Sequence, residues 1–219
     1  MTMDWFPLWL SLRVSVLATL VALPVGLCLA FVLAKREFPG KGVLDSVITL
    51  PLVLPTTVLA YYVLVWLGRA TPLGRAYESF AGAPLVFSWR VAVVAALIHS
   101  APLLVRSART ALERVDRNYE RAARSLGASE SRIFWRVTLP LVRRSILAAV
   151  LLAFGRSLGD VGITILIAGS LPGSTQALPA AIYRAMAKGG GTLACVLVLV
   201  ISAAVWILAN RLVPRQATR

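Results

Sequence analysis

Five long apolar runs constrain this chain more than any other feature. Val14 to Ala34, Ser46 to Gly68 and Gly189 to Asn210 contain no charged residue. Ser79 to Val105 holds one charge, Arg90, and Ser145 to Ala168 holds only Arg156 and Asp160. A helix needs about 20 predominantly apolar residues to cross a bilayer. The runs predict five spanning helices, near residues 11–34, 46–68, 86–105, 145–168 and 190–210. They lack the alternation of barrel strands and are too long for them. The expected fold class is an all-α polytopic membrane protein, one transmembrane domain over residues 1–219. Composition agrees: 58% of residues are hydrophobic, 15% are charged, and the mean hydropathy is +0.80. Soluble domains carry about 25% charged residues, and disordered chains are poor in apolar ones. A soluble enzyme and a disordered linker are both excluded.

The charge is unevenly placed. Lys and Arg number 23 against 9 Asp and Glu, a net charge of +14. Ten arginines lie between Arg106 and Arg144. The positive-inside rule puts that segment, residues 106–144, in the cytoplasm. Alternating outward from it, Lys35, Arg36, Lys41, Arg211, Arg215 and Arg219 fall inside, and Arg69, Arg75, Arg184 and Lys188 fall outside. The N-terminus is then expected outside and the C-terminus inside. Trp5, Trp9, Trp66 and Trp89 gather near the outer boundary in this arrangement, as an aromatic belt does. The first twelve residues carry Asp4 and no Lys or Arg, so no cleavable signal peptide is expected. Cys28 and Cys195 suit neither a metal-ligand spacing nor a disulfide framework and read as small packing residues.

The basic segment is patterned. Leu112, Val115, Tyr119, Ala122 and Leu126 recur at alternating spacings of 3 and 4, which predicts one face of an amphipathic helix. Gly127 follows where a left-handed C-terminal cap sits. Ser129 is placed to cap a second short helix carrying Ile133, Phe134 and Val137. Pro140 is expected to end or kink that helix before the next span. Two readings fit the pattern: a basic hairpin lying on anionic lipid, or a docking element for a cytoplasmic partner. The small residues Ala122, Ala123 and Gly127 favour docking, because they let another surface approach closely. Nothing resembles a nucleic-acid readout module.

Arg121-Ala122-Ala123, three residues, Gly127, nine residues, Val137, one residue, then Leu139-Pro140 resembles the Glu-Ala-Ala loop of binding-protein-dependent ABC importer permeases. Arg121 stands where that family has Glu, with Glu120 beside it, and Val137 stands where it has Ile. Further stretches resemble the membrane subunit of molybdate-type importers. They are Phe38-Pro39-Gly40-Lys41, Leu50 to Pro55, Phe87-Ser88-Trp89-Arg90, Ala153 to Asp160, and Leu171-Pro172-Gly173-Ser174-Thr175. Sulfate and tungstate permeases share parts of this pattern.

The resemblance implies a type I ABC importer permease fold. It also implies a transmembrane permease subunit for a tetrahedral oxyanion, molybdate favoured over tungstate or sulfate, working by alternating access. The implied partners are a second copy of the chain, two ATP-binding cassette ATPase subunits, an extracytoplasmic oxyanion-binding protein and the lipid bilayer. The implied location is the bacterial cytoplasmic (inner) membrane. By the same resemblance Tyr119, Glu120, Arg121, Ala122, Ala123, Leu126, Gly127 and Ala128 form a coupling helix seated in the ATPase, and the outer segment Ser170 to Lys188 meets the binding protein. The chain has no G-x-x-x-x-G-K-[ST] sequence. It is therefore not expected to be an enzyme or to hold a metal or cofactor; ATP and Mg belong to the partner ATPase.

Charged and polar groups within spans default to functional candidates. Arg156 and Asp160 lie four apart on one predicted helix face, with Gly155, Ser157 and Gly159 beside them and Thr164 one turn beyond. They read either as an ion pair that holds helices together or as a group in the anion's path. Pro51 and Pro55 interrupt the second run, with Thr56 and Thr57 following, and read as a static kink or a gate. The candidate pathway set is Pro55, Thr56, Thr57, Arg156, Ser157, Asp160 and Thr164. His99, the only histidine, reads as a packing residue before a proton relay. An intramembrane enzyme would need a Ser–His pair, a metal cluster or paired acids. A channel or ATP-independent carrier would lack the glycine-broken loop.

Overall fold

Helix α1 (Phe6–Lys35) has 30 residues, about 45 Å of helix at 1.5 Å per residue, enough to cross a bilayer. It lies along α5 (Trp89–Glu113) in a parallel pair. At one end the Arg13 guanidinium sits 4.3 Å from the centre of the Trp89 ring. At the other, Leu33 of α1 packs in one cluster with Leu112 of α5. Small residues make the seam: Ala18, Ala22, Ala30, Ala92, Ala95 and Ala108 are buried. A Cβ on Gly26 would lie 2.9 Å from Leu104 Cδ2, so a larger residue there makes the Leu104 side chain shift. Helices in lipid gain little from burying apolar area, and close backbone contact takes its place.

The computed structural model describes residues 5–159, 162–171, 173–187 and 192–212. Asp4, Asp160, Pro172, Lys188, Gly189, Arg215 and Arg219, invoked above, lie outside the described residues. Those described form eleven α-helices and no strand. Four helical stretches are long and apolar enough to span: Phe6–Lys35, Trp89–Glu113, Glu130–Leu158 and Cys195–Leu212. A fifth span results if α2 (Lys41–Val53) and α3 (Thr56–Leu67) count as one. A short α4 (Pro72–Ala81) joins α3 to α5.

The second apolar run departs from the straight span expected over 46–68: α2 and α3 meet at a bend of 112°. The break falls at Leu54 and Pro55, both extended, with ψ of 137°. The proline ring disfavours a helical residue before it. Pro51, within α2, does not interrupt the helix.

The segment 106–144 also differs. Helix α5 reaches Glu113, α6 covers Arg117–Ser125, and α7 (Glu130–Ile133) continues through a π-helical turn, Phe134–Thr138, into α8 (Leu139–Leu158). The predicted single amphipathic face is thus split. Asp116 starts α6, its carboxylate accepting the Asn118 N–H at 2.9 Å. Leu112 and Val115 are left in the core, while Tyr119 and Leu126 are exposed. Ser129 occupies the N-cap of α7, but its hydroxyl makes no capping bond. Pro140 neither ends nor interrupts the helix. It sits in the first turn of α8, and the wider π turn before it absorbs the missing N–H.

The fourth run is not one span over 145–168. Helix α8 ends at Leu158 and the chain resumes as α9 (Gly162–Ala168). Thr164 belongs to α9 and Arg156 to α8. After α9, the chain turns at Gly169 and Gly173, both at positive φ, and forms α10 (Leu178–Ala187). Helix α11 (Thr192–Leu212) packs on α8, where a Cβ on Gly155 would stand 3.3 Å from Val205. Cys28 and Cys195 are exposed on the single chain rather than packed in its core. Lipid tails are as apolar as a core, so such a side chain faces outward at little cost.

Candidate functional site

Two polar groupings stand out. The first occupies the end of the molecule where α1 and α5 finish. Helix α6 closes with both hydrogen bonds of a Schellman cap: Gly127 N–H to the Arg124 carbonyl at 3.0 Å and Ala128 N–H to the Ala123 carbonyl at 3.2 Å. Gly127 takes φ of 77°, a conformation that costs other residues about 1–2 kcal/mol. Glu120 turns inward from α6. Its Oε1 accepts from Lys35 Nζ of α1 at 2.8 Å and from the Thr138 hydroxyl of the π turn at 2.9 Å. Arg124 donates to Glu130 at 2.7 Å across the glycine break, and that hydrogen bond and charge raise the guanidinium above its ordinary value. Phe31 meets Phe134 edge-on, with ring centres 4.9 Å apart. Arg109 joins Asp45 at 3.0 Å, tying α5 to α2. Lys41, by hydrogen bond and then by charge, holds Glu37 below the ordinary carboxylate value.

Helix α6 is thus anchored through one carboxylate to both α1 and the start of α8. Its outer side is free. Tyr119 is 59% exposed and Leu126 is 87% exposed, with Arg121, Ala122 and Gly127 exposed near them. Ala123 and Ala128 are half-buried. Large apolar side chains on a polar helix, with small residues between them, suit insertion into a partner's groove. Glu120, not Arg121, makes the ties to Lys35 and Thr138, and Arg121, at the family's Glu position, lines the same cleft beside them.

The second grouping lies inside the bundle. Arg156 of α8 and His99 of α5 are hydrogen-bonded. A guanidinium stays protonated, so the imidazole Nε2 is the acceptor in this contact. His99 is buried, whereas Arg156 is exposed on the surface of the single chain. Asp160, expected to pair with Arg156, lies outside the described residues. Ser157 and Thr164 are buried and line one small cavity with Ser11, Ser15 and Thr175. The structure brings these two together through the cavity, not through a shared helix face. Of the second-run candidates, Thr56 packs against α9: a Cβ on Gly162 would stand 2.9 Å from its Oγ1. Pro55 and Thr57 are exposed beside it.

Sequence reasoning missed the His99–Arg156 contact and the serines of α1. For the serines a signal was present. Ser11, Ser15 and Thr19 stand four apart, one polar stripe along an otherwise apolar helix. For His99 there was none, because the contact joins residues 57 positions apart.

Fold and site define a class: a multi-pass helical membrane protein with a capped, outward-facing helix at its charged end and polar groups within its bundle. The chain belongs to the family described as binding-protein-dependent transport system inner membrane component, which matches residues 22–218. It is 46% identical over 188 residues to the molybdenum transport system permease protein ModB of Escherichia coli (strain K12), covering 86% of this chain and 82% of that one. It is 35% identical over 173 residues to the sulfate transport system permease protein CysW of Synechococcus elongatus, covering 77% of this chain and 60% of the relative. Among solved structures, a bacterial ABC transporter involved in the import of the acidic polysaccharide alginate matches with a TM-score of 0.72 at 19% identity, over 98% of this chain and 79% of that one. The fold is that of the type I ABC importer permeases.

Proposed function

We propose that this chain is the permease subunit of an ATP-driven importer of a tetrahedral oxyanion, molybdate. Two copies form the path, two ATPase subunits dock on α6, and an extracytoplasmic binding protein delivers the anion. The chain itself hydrolyses nothing. The observation that carries the substrate is the likeness to a molybdenum permease, which extends over most of both chains. Helix α6 lies in the cytoplasm in this reading, with the N-terminus outside. The gathering of Lys35, Arg109 and the basic α6 at one end, and of Trp5, Trp9 and Trp89 toward the other, supports that orientation. The membrane is the bacterial inner membrane.

The mechanism follows from the tie at Glu120. ATP binding draws the two ATPase subunits together and carries α6 with them. Because Glu120 links α6 to α1 and to the start of α8, the displacement passes to two spans rather than to a loose loop. Packed helices shift between discrete arrangements, which is what alternating access needs. An exposed Arg156 facing lipid would be expensive. It is accommodated if the face it shares with His99 borders the aqueous path between two copies. There the guanidinium attracts a dianion without enclosing it.

Sulfate is the second reading, favoured by the likeness to the sulfate permease. Reconstitution with the ATPase and the binding protein separates the two. Labelled molybdate should enter vesicles only with ATP and be competed by tungstate more than by sulfate. Uptake of sulfate in preference would replace the substrate, and uptake without the ATPase would overturn the proposal.

A further inference from the structure

The basic segment has two readings from its sequence, a partner's dock and a surface that lies on anionic lipid, and α6 offers a separate flank to each. Arg117 and Arg121 stand two residues on either side of Tyr119, and Arg124 stands two before Leu126. At about 100° per residue, those offsets put the arginines on the flank opposite Tyr119 and Leu126. The flank of Tyr119 and Leu126 is the one suited to a partner's groove. The arginine flank borders a cleft of about 520 Å³ between α6, the end of α1 and the π turn. Ligand sites are commonly of this size.

Five cations line the cleft: Lys35, Arg36, Arg117, Arg121 and Arg124. Three acids line it as well, and each already has a partner. Glu120 takes Lys35 at 2.8 Å, Glu130 takes Arg124 at 2.7 Å, and Glu37 takes Lys41 from beyond the rim at 2.7 Å. Arg36, Arg117 and Arg121 are exposed and have no ion pair among the described residues. The lining is thus net positive, and its surplus is these three guanidiniums. Arg117 and Arg121 belong to α6, and Arg36 follows α1 directly. An anion held between them touches both elements.

Depth identifies the anion. The 21 residues from Val14 to Ala34 are uncharged and helical, a rise of about 31 Å, which matches the hydrocarbon core of a bilayer. Lys35 and Arg36 therefore stand where the headgroups begin. The cleft also has an aromatic side. Phe31 and Phe134 line it, and Phe134 meets Trp135 edge-on with ring centres 5.4 Å apart. Trp135 is 66% exposed, and an exposed tryptophan beside cations is typical of a membrane boundary. We infer that the cleft seats the phosphate of an anionic lipid of the cytoplasmic leaflet, clasped by Arg36, Arg117 and Arg121, while Tyr119 and Leu126 meet the ATPase. Guanidinium forks match phosphate oxygens in geometry as well as charge. The lipid bridges the end of α1 to α6 alongside the Glu120–Lys35 tie. This goes beyond the proposed function and rests on it only for which leaflet is cytoplasmic.

The test uses the full complex of permease, ATPase and binding protein in detergent micelles, titrated with labelled phosphatidylglycerol and, as the neutral control, phosphatidylcholine. The wild type should bind phosphatidylglycerol in preference. Each basic residue near an anionic lipid contributes roughly a fivefold attraction, so Arg36→Gln combined with Arg117→Gln should bind it about thirtyfold more weakly. Lysine at both positions should restore most of the binding. Both side chains are exposed and unpaired among the described residues, so the unfolding temperature and the retention of the ATPase should stay as in the wild type. Tyr119→Ala should do the reverse, keeping the lipid and shedding the ATPase. Equal binding of the two lipids, or a glutamine variant that binds phosphatidylglycerol as the wild type does, overturns the lipid seat. Displacement by glycerol 3-phosphate at equal phosphate concentration also overturns it, because the cleft then serves a free anion. Loss of the ATPase from the glutamine variant overturns it too, because the arginine flank then belongs to the partner's dock. Lipid binding is read without transport. A complex that carries no oxyanion yet prefers phosphatidylglycerol overturns the functional reading alone, and a transporting complex without that preference overturns the lipid seat alone.

Discussion

At the charged end the largely buried carboxylate of Glu120 meets both Lys35 and Thr138, whereas inside the bundle the Ser15 and Ser157 oxygens meet no hydrogen-bond partner among the described residues. The first region is satisfied by the chain itself, and its polar groups hold three elements in fixed relation. In the second, the Ser15 and Ser157 hydroxyls are left without a bond among the described residues, while Ser11 and Thr175 accept the Leu178 and Leu171 N–H groups. The contrast separates two uses of buried polarity. A completed network holds its elements together, and an incomplete one leaves polar atoms unbonded at the helix seams.

The comparison breaks most readily at Glu120. Glu120→Ala strands Lys35 in a partly buried site and leaves the Thr138 hydroxyl without its acceptor, at a cost of about 2–3 kcal/mol. The expected outcome is a lower unfolding temperature together with ATP hydrolysis that no longer drives uptake, read as fewer anions moved per ATP. An equal unfolding temperature would show that the tie is not structural. Ser15→Ala also deletes a buried polar group, yet should leave the unfolding temperature unchanged or higher.

A somewhat smaller effect is expected where the two broken runs touch. Gly162→Ala brings a methyl to within 2.9 Å of Thr56 Oγ1, and forcing α3 from α9 costs about 1–3 kcal/mol. Thr56→Ala in the same chain removes that oxygen and should restore part of the loss, which a double-mutant cycle in thermal unfolding would measure. Simple addition of the two effects would mean that the helices do not press on each other there.

Gly127→Ala forces a side chain into φ of 77° and should cost about 1 kcal/mol. The cap, not the bundle, absorbs this strain. The sharper readout is therefore weaker retention of the ATPase by α6, with Gly127→Asn less affected because asparagine tolerates that conformation.

The smallest effect concerns Glu37. Lys41 lowers its carboxyl in the folded chain, so the pair contributes stability above the ordinary carboxylate value and loses it as pH falls through the lowered one. Both groups lie near the protein surface, where screening leaves the contribution slight. The difference in unfolding temperature between wild type and Glu37→Gln should shrink on acidification and in high salt. A difference that grows in acid would reverse the sign of this pairing.

Much of the architecture was legible before any coordinates. Val14 to Ala34 is a membrane helix because 21 uncharged, mostly apolar residues have no cheaper state in lipid. Gly127 ends a helix because its left-handed turn is most easily supplied by glycine. The bend at Pro55 was visible as an interruption, though its angle was not. Leu112 and Val115 kept the periodicity of α6 but belong to the core, because Asp116 restarts the helix and changes which side faces inward. Periodicity reports a face only while one helix continues.

From its order of residues alone this protein is a polytopic helical permease with a glycine-capped helix at its basic end. Hydropathy, charge asymmetry and cap chemistry act over a few turns and are written locally. The tertiary structure decided that Glu120 rather than Arg121 anchors that helix, that His99 faces Arg156, and that serines and threonines of α1, α8, α9 and the loop before α10 line one small cavity. Each of these depends on which elements pack side by side, and the contacts that set such neighbours join residues too far apart in the chain for local pattern to encode.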